Sequence, residues 1–272
     1  MTTERTLSPP RADRIGRDRL AADLASLGLR RGQDLLVHCS LRRFGRIDGG
    51  TATLLAAIQD VAGPEATIVV PAQTAGNSLT SRVFRSVTAR MDAEECARYV
   101  AAMPGFDPAS TPSAGMGAFA EYVRTRPSAS RSSHPQTSFA AIGPRSAVSM
   151  AVHDLDCHFG DRSPLSWLYA ADAAILLLGV GYSTCTAFHF AEYQLAGVLR
   201  RPYHCFTLEA GTRVQREFTD IELDDSDFGR LGSDLDLTPA PRYGHVGPAF
   251  CRLVSLRAAV DFAAEWLKIQ RG

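Results

Sequence analysis

Short apolar runs and stretches with helical periodicity alternate along the first part of the chain. Residues 15–28 carry leucines at helical spacing and end at a glycine, which predicts a helix. Residues 34–38 and the very apolar residues 67–70 have the pattern of short strands. Residues 51–61 lie between them and have the pattern of a helix with Thr51 as its cap. This order is that of a βαβ unit, so it predicts parallel strands in a sheet core.

Regular apolar periodicity is lost between residues 71 and 149, where Pro, Gly, Ser and Thr are frequent. A helix is expected after Gly115 and a short strand over residues 138–142. We expect residues from about 74 to 130 to form a lid-like excursion from the sheet. Long irregular segments inside a domain usually serve function, which draws attention to this one.

The last part of the chain returns to regular patterns. Residues 203–208 and 213–222 alternate polar and apolar positions around an Ala-Gly pair, which predicts a β-hairpin. Ser255 precedes an amphipathic stretch over residues 256–267 and is the expected cap of a final helix.

The length and composition of the chain are those of one large domain. The chain has 272 residues and is 45% hydrophobic, which is enough for a full core. We therefore predict a single-domain, three-layer α/β fold over residues 13–272, with a mixed, partly parallel central sheet and a long irregular insertion. Residues 1–12, which contain Pro9-Pro10, are predicted to be a flexible N-terminal arm.

Charge excludes some classes of partner. The 29 basic and 29 acidic residues balance, which argues against a general binder of nucleic acid or of anionic membranes. No apolar run is long enough to span a membrane, and the polar N-terminus lacks the apolar core of a signal peptide. We expect a soluble cytoplasmic protein.

A strand, a glycine-rich turn and a helix follow one another within residues 173–196. The continuous apolar run of residues 174–178 predicts a strand that is buried on both faces. Ser183, Thr184 or Thr186 could cap the helix after the turn. Open α/β sheets bind ligands where strands end and helices begin, so we place the chemistry of this protein here.

Thr186, His189 and Glu192 lie three residues apart and therefore line one face of that helix. A carboxylate that holds one nitrogen of a histidine leaves the other nitrogen to accept a proton, as in acid–base sites. The alternative is a buried structural histidine beside a solvated glutamate.

The same turn also resembles two other kinds of site. Ser183 or Cys185 could be the nucleophile of an acyl hydrolase, although G-x-S-x-G requires glycine where Cys185 stands. A dinucleotide-binding turn would need a third glycine, and an acidic residue about 20 positions further on, and the chain has neither.

The sequence gives no strong metal signal. The six cysteines are scattered singly and are expected to be buried thiols. Residues 153–158, HDLDCH, hold two histidines and two aspartates, but this spacing is loose and favours a solvated loop over a metal site. We predict no metal.

Two charged segments could serve binding. The loop of residues 40–50 combines glycines with three arginines before a helix, which suits phosphate groups as well as an ordinary solvated loop. Residues 217–236 hold eight carboxylates and one arginine. This acidic stretch could attract a polyamine or could be a solvated loop.

Five blocks in order along the chain resemble the aminoglycoside 3-N-acetyltransferases, an acetyl-CoA-dependent family that differs in fold from the GCN5-type acetyltransferases. The blocks are VHCSLRRFGRIDGG (37–50), TPSAGMGAFAEYVR (111–124), RSSHPQTSFAAIG (131–143), LLLGVGYSTCTAFHFAE (176–192) and GHVGPAFCRLVSL (244–256). The resemblance implies direct acetyl transfer in a ternary complex. His189 would be the base for the acceptor amine, Glu192 its partner, and Thr186 a donor to the thioester oxygen.

The resemblance also implies where each substrate binds. The expected acetyl-CoA contacts are Ser40, Leu41, Arg42, Phe44, Gly45, Ile47, Ser113, Arg131, Ser132 and His134. The expected acceptor contacts, for a polycationic aminoglycoside, are Gln73, Asn77, Glu192, Asp224, Asp225 and Asp227. Acetylation of the 3-amino group of a 2-deoxystreptamine antibiotic would give resistance.

The chain departs from the family pattern in two places. Arg42-Arg43 stands where a second small polar residue is common, and residues 73–87, which shape the antibiotic pocket in the family, are individual to this chain. A different amine from natural-product biosynthesis is therefore the alternative acceptor. Nucleic-acid and membrane partners are not expected, and a homodimer is an assembly that the sequence leaves open.

Overall fold

A seven-stranded mixed sheet forms the centre of the computed structural model, which describes residues 14–272. β1 pairs in parallel with β2 and β5, and the other pairs in this sheet are antiparallel. In sheet order the strands are β3 (Ser130–Arg131), β4 (Phe139–Ile142), β2 (Ile68–Pro71), β1 (Leu35–Cys39), β5 (Ala174–Leu178), β9 (Ala249–Ser255) and β8 (Arg242–Val246). This confirms the predicted βαβ unit and the mixed, partly parallel sheet. The predicted arm, residues 1–12, lies outside the described residues.

Helices cover both faces of the sheet and give the predicted three layers. α1 (Arg17–Leu27), α2 (Gly50–Ala62) and α5 (Gly117–Arg124) pack on one face. The other face carries α6 (Ser146–Met150), α7 (Pro164–Ala170), α8 (Phe188–Glu192), α9 (Phe228–Leu235) and α10 (Leu256–Arg271). Successive residues of β5 alternate between these two cores, which explains why its sequence is apolar throughout.

The excursion between β2 and β3 holds two helices besides α5, α3 (Arg82–Thr88) and α4 (Ala93–Ala102). Of these three helices the sequence predicted only α5, because α3 and α4 have seven and ten residues and none of their side chains is buried. α4 is instead stabilised by a capping box, in which Asp92 accepts from the backbone of Glu95 and Glu95 accepts from that of Asp92.

The predicted hairpin is confirmed as a separate two-stranded sheet of β6 (Arg200–Glu209) and β7 (Thr212–Ile221). It is joined to the excursion by backbone hydrogen bonds: Leu79 N donates to His204 O at 2.9 Å, and Phe106 N donates to Phe206 O at 2.9 Å. The excursion and the hairpin thus form one wall beside the central sheet.

Two predicted helix caps had different outcomes. Ser255 Oγ accepts from Ala258 N at 3.1 Å, which confirms the cap of α10. The prediction for Thr51 was wrong, because α2 begins at Gly50 and its cap is Gly49, whose φ of 72° lies in the left-handed region. Within residues 14–272, none of the helices has the length and apolar character needed to cross a membrane.

The segment HDLDCH is not the solvated loop that its composition indicated. His153 and His158 are buried, and each ring centroid lies 4.7 Å from that of buried His134. His158 Nδ1 lies 2.6 Å from Oδ2 of Asp220, a fully buried residue of β7 that also accepts from Tyr193 at 2.6 Å. We call these three histidines and Asp220 the histidine cluster. It anchors the hairpin to the body of the domain.

Burial changes the protonation of this cluster. Desolvation lowers the pKa of His153 to about 3 and lowers the pKa of His134 well below its ordinary value. Burial also raises the pKa of Asp220, but hydrogen bonds from His158 and Tyr193 outweigh that effect and lower it. The cluster is therefore built from neutral imidazoles around an ionised carboxylate.

These shifts predict loss of stability in acid. Because the folded pKa of His153, about 3, is below its ordinary value of 6.5, the unfolded chain takes up the proton first as pH falls below 6.5. One such histidine lowers the free energy of unfolding by about 2 kcal/mol between pH 7.5 and 5.0. The free energy of unfolding should be measured with urea at pH 7.5 and at pH 5.0. In His153→Gln it should fall by about 2 kcal/mol less between these two pH values than in the wild type. The control His245→Gln, which removes an exposed imidazole, should keep the wild-type dependence; equal dependence in both variants would refute the assignment.

Candidate active site

The loops after β1 and β5 meet at one edge of the sheet. Ser40 N donates to Leu178 O at 2.9 Å, and a 3-10 helix (Leu41–Phe44) follows β1. Gly179 has a φ of 66°, and a Cβ atom there would lie 2.6 Å from Cβ of Arg43, so no other residue fits without displacement. This close approach brings the arginine-containing loop of residues 40–50, called the early loop below, beside the turn that leads to His189.

The turn after β5 differs in detail from the prediction. A 3-10 helix (Tyr182–Thr184) comes first, and α8 begins only at Phe188, after Ala187 at the cap position. The prediction of a Ser or Thr cap was therefore wrong. One consequence concerns Thr186, whose side chain, buried but in contact with a cavity, forms no hydrogen bond to any other residue between 14 and 272.

His189 and Glu192 form a hydrogen-bonded pair on α8. His189 Nδ1 lies 2.6 Å from Glu192 Oε2, and Glu192 is 1% exposed, so it is not a solvated helix residue. The imidazole stacks on Phe159, with ring centroids 5.0 Å apart at an angle of 6°, and its centroid is 4.7 Å from that of Phe228. Nε2 has no hydrogen-bond partner within the described part of the chain, so it is the nitrogen that can accept a proton.

The second oxygen of Glu192 is also bonded. Oε1 accepts from the backbone N of Asp224 at 3.1 Å and from Arg271 Nη1 at 2.6 Å. Arg271 lies at the end of α10 and in addition donates to both carboxylate oxygens of Asp227. Three groups from different parts of the chain thus bind the two carboxylate oxygens of Glu192, which holds its carboxylate in a single orientation.

Two cavities meet at His189. Cavity A, about 940 Å³, lies between the start of the excursion, the hairpin, the acidic stretch and the end of α10. Cavity B, about 1050 Å³, lies between the early loop, the N-terminus of α5 and the turn after β5. His189, Gln73 and Asp225 line both cavities, so a group in either one reaches the imidazole.

Cavity B has the features of a site for an anionic cofactor. Four of the predicted coenzyme contacts line it: Ser40, Leu41, Arg42 and Gly45. The N-terminus of α5, at Gly117 and Ala118, also faces it, and helix N-termini attract phosphate oxygens. Thr186 and Cys185 line the end that is nearest His189.

Cavity A carries charges of both signs. Four carboxylates and five cations line it: Glu192, Glu222, Asp224 and Asp225 against Arg82, Arg85, Arg201, Lys268 and Arg271. Arg82 Nη2 donates to Asp225 Oδ1 at 2.9 Å, and Arg201 Nε lies 3.9 Å from Glu222. The acidic stretch therefore reaches the cavity, but its carboxylates already face cations of the same chain.

Several of the predicted substrate contacts line neither cavity and instead pack or form hydrogen bonds within the protein. Phe44 is fully buried in the core, and Ile47 packs against that core. Ser113 Oγ donates to Glu121 at 2.6 Å, and Asn77 donates to Pro135 O at 2.8 Å. Asp227 is held by Arg271.

Residues 131–135, the first five of the block RSSHPQTSFAAIG, are likewise internal. Arg131 donates to Ala72 O at 2.5 Å and to Thr111 O, and burial lowers its pKa to about 10. Ser132 Oγ lies 2.9 Å from His153 Nδ1, and His134 belongs to the histidine cluster. These five residues bind the excursion to the sheet and line neither cavity, whereas the next two residues of the block, Gln136 and Thr137, line cavity A.

Two alternative chemistries find little support in this geometry. Cys185 is 1% exposed, and burial raises its thiol pKa to about 12, so it is not an activated thiolate. Among the hydrogen bonds of residues 14–272, His189 is joined to Glu192 and not to Ser183. No group of three or more His, Cys, Asp and Glu side chains in the described chain is arranged to hold a metal ion.

Comparison with known proteins confirms the resemblance drawn from the sequence. Residues 36–268 match the family described as Aminoglycoside 3-N-acetyltransferase. The chain is 33% identical over 262 residues to the SPbeta prophage-derived aminoglycoside N(3')-acetyltransferase-like protein YokD of Bacillus subtilis, covering 91% of this chain and 90% of that one. It is 32% identical over 275 residues to aminoglycoside N(3)-acetyltransferase VII of Streptomyces paromomycinus, covering 95% and 93%.

Solved structures give the same result. The crystal structure of YokD from Bacillus subtilis has a TM-score of 0.89 at 32% identity and covers 96% of both chains. The binary complex of AAC-IIIb with CoASH has a TM-score of 0.83 at 28% identity, covering 95% of this chain and 98% of that one. The chain therefore belongs to the aminoglycoside 3-N-acetyltransferase family.

Proposed function

We propose that this protein transfers the acetyl group of acetyl-CoA to the 3-amino group of a 2-deoxystreptamine aminoglycoside, with His189 as general base, and so confers antibiotic resistance. The observation that carries the proposal is the position of His189, which lines both cavities and presents a free Nε2. One cavity for each substrate permits direct transfer. The names of the relatives and the CoASH complex of AAC-IIIb support the choice of donor and acceptor.

Acetyl-CoA is assigned to cavity B. Arg42 and Arg43 give it a positive rim, and the N-terminus of α5 adds unpaired backbone N–H groups, both of which suit the phosphates of the coenzyme. The acetyl end would point toward Thr186 and His189. The Thr186 hydroxyl, which forms no hydrogen bond elsewhere in residues 14–272, is free to donate to the thioester oxygen as that oxygen gains charge.

The acceptor is assigned to cavity A, with its amine beside His189. The amine nitrogen attacks the thioester carbon, and Nε2 of His189 takes the proton that the nitrogen loses. The C–S bond then breaks, and the coenzyme leaves as a thiol once the imidazolium returns that proton. Glu192 stabilises the transient imidazolium through Nδ1–H, which is the role of an orienting carboxylate.

A different amine from natural-product biosynthesis is the second candidate acceptor. The five cationic side chains that line cavity A favour it, because they neutralise carboxylates that a polycationic antibiotic would otherwise bind. Mass spectrometry of a panel of aminoglycosides after incubation with acetyl-CoA and the protein separates the two acceptors.

Acetylation of an aminoglycoside and its dependence on His189 can be measured in one assay. Purified protein with acetyl-CoA and gentamicin, kanamycin, neomycin or apramycin should yield a mono-acetylated product by mass spectrometry, with NMR placing the acetyl group on the 3-amine. His189→Ala should lower kcat about 10²- to 10⁴-fold, because the base is lost. Binding of acetyl-CoA, measured by calorimetry, should persist in this variant.

The control for that variant is His245→Ala, which removes an exposed histidine of β8 and should retain full turnover. Unchanged turnover in His189→Ala would refute the role of the base. Binding of acetyl-CoA with no acetylated antibiotic would direct the search to other amines.

Asp225 is expected to take part in recognition of the acceptor. Asp225 lines both cavities, and its described cation partner is the exposed Arg82, so an ammonium group of the antibiotic can replace that guanidinium. Asp225→Asn should raise KM for the antibiotic about fivefold, equivalent to about 1 kcal/mol for an exposed ion pair. Steady-state kinetics in low and high salt should show that the effect shrinks as ionic strength rises. Glu94→Gln on α4 is the matched control, and equal KM values in the two variants would rule out the contact.

A further inference from the structure

Arg271 connects the end of α10 to the proposed base. Its Nη1 donates to Glu192 Oε1 at 2.6 Å, while the other Glu192 oxygen lies 2.6 Å from His189 Nδ1. The side chain of Glu192 is 2% exposed and that of Arg271 is 22% exposed, so solvent screens this pair less than a surface pair. The guanidinium is therefore one carboxylate away from the imidazole and shares that carboxylate with it.

The same guanidinium also binds the acidic stretch, in the loop before α9. It donates to Asp227 through Nε at 2.9 Å and through Nη2 at 2.5 Å, and to the backbone oxygen of Asp224 at 2.7 Å. The backbone N of Asp224 in turn donates to Glu192 at 3.1 Å. Arg271 thus fixes both the orientation of Glu192 and the segment that brings Asp225 to the junction of the two cavities.

The charge of Arg271 affects His189 in a definite direction. An unpaired Glu192 would favour the protonated imidazole, whereas a Glu192 shared with a guanidinium favours it less. Other aromatic and charged groups, from several elements of the fold, contact the imidazole or line cavity A together with it. They are Phe159 and neutral, buried His158 before α7, Phe228 on α9, Asp224 and Asp225 before α9, Lys268 on α10, Arg82 and Arg85 on α3, and Arg201 on β6. Among the five cations that line cavity A, Arg271 is the one that contacts the carboxylate bound to the imidazole.

We propose that Arg271 is a positioning residue: it locks Glu192 toward His189 and, by sharing that carboxylate, weakens the attraction of Glu192 for a proton on the imidazole. This inference rests on the proposed role of His189. No substrate contact is assigned to Arg271 itself.

The test is a pH titration of His189 in four proteins: wild type, Arg271→Gln, Arg271→Lys and Asp227→Asn. NMR of selectively labelled histidine follows the ring, whose signal is identified by its loss in His189→Ala, and initial rates with acetyl-CoA and gentamicin give the pH profile of kcat/KM. In Arg271→Gln the midpoint of the ring titration and the acidic limb of the rate profile should both rise by roughly half to one pH unit. Arg271→Lys should remain close to wild type, because the charge beside Glu192 is retained.

Asp227→Asn distinguishes the effect of the Arg271 charge on His189 from the effect of loosening the bonds between Arg271 and Asp227. It removes the paired bonds that hold Arg271 to the acidic loop but leaves the cation beside Glu192, so the titration of His189 should stay in place or move to lower pH. Equal upward shifts in Arg271→Gln and Asp227→Asn, or no shift in Arg271→Gln, would overturn the inference. The NMR measurement needs no turnover, so an inactive wild type, or an active His189→Ala, would contradict the proposed function and leave this test readable.

Discussion

A buried carboxylate needs a full set of hydrogen-bond donors, because an unpaired charge in a protein interior is strongly unfavourable. Glu192 meets this requirement with donors from three parts of the chain: the imidazole of His189, the backbone of Asp224 and the guanidinium of Arg271. The end of α8, the acidic loop and the end of α10 are consequently held in one arrangement. His189 is thereby held at the junction of the cavities, with an Nε2 atom that has no hydrogen-bond partner among residues 14–272.

A second buried carboxylate sets the shape of cavity A. Asp220 joins β7 to His158 and Tyr193, and so positions the hairpin that forms one wall of that cavity. Two buried acidic groups, each satisfied by histidine, thus order the site from opposite sides. Buried networks of this kind stabilise a fold only when every polar member has its partner, and here the histidine rings also pack against Phe218 and Phe159.

The fold followed from local signals that were strong. The apolar runs of β1 and β5, the glycine that ends α1 and the serine that caps α10 are properties of adjacent residues, and the structure confirms them. The predictions for Thr51 and for a Ser or Thr cap on α8 failed because glycine or alanine occupies those cap positions. α3 was missed because it has only seven residues and none of its side chains is buried, so its few apolar residues form no extended period.

The site was only partly predictable for a related reason. His189 and Glu192 are three residues apart on one helix, so their pairing could be foreseen from spacing. Arg271 is 79 residues from Glu192, and the partners of the HDLDCH histidines lie 21 and 62 residues away, so no local pattern could indicate them. The mixture of charges in cavity A arises in the same way, from segments that meet only in the folded chain.

Initial-rate kinetics with both substrates varied tests most directly whether two cavities that meet at His189 hold donor and acceptor together. Direct transfer in a ternary complex predicts double-reciprocal lines that intersect, and intact-protein mass spectrometry should find no acetylated enzyme in the absence of acceptor. Parallel lines together with an acetyl-enzyme would contradict the account, because they would require a covalent nucleophile in place of a base.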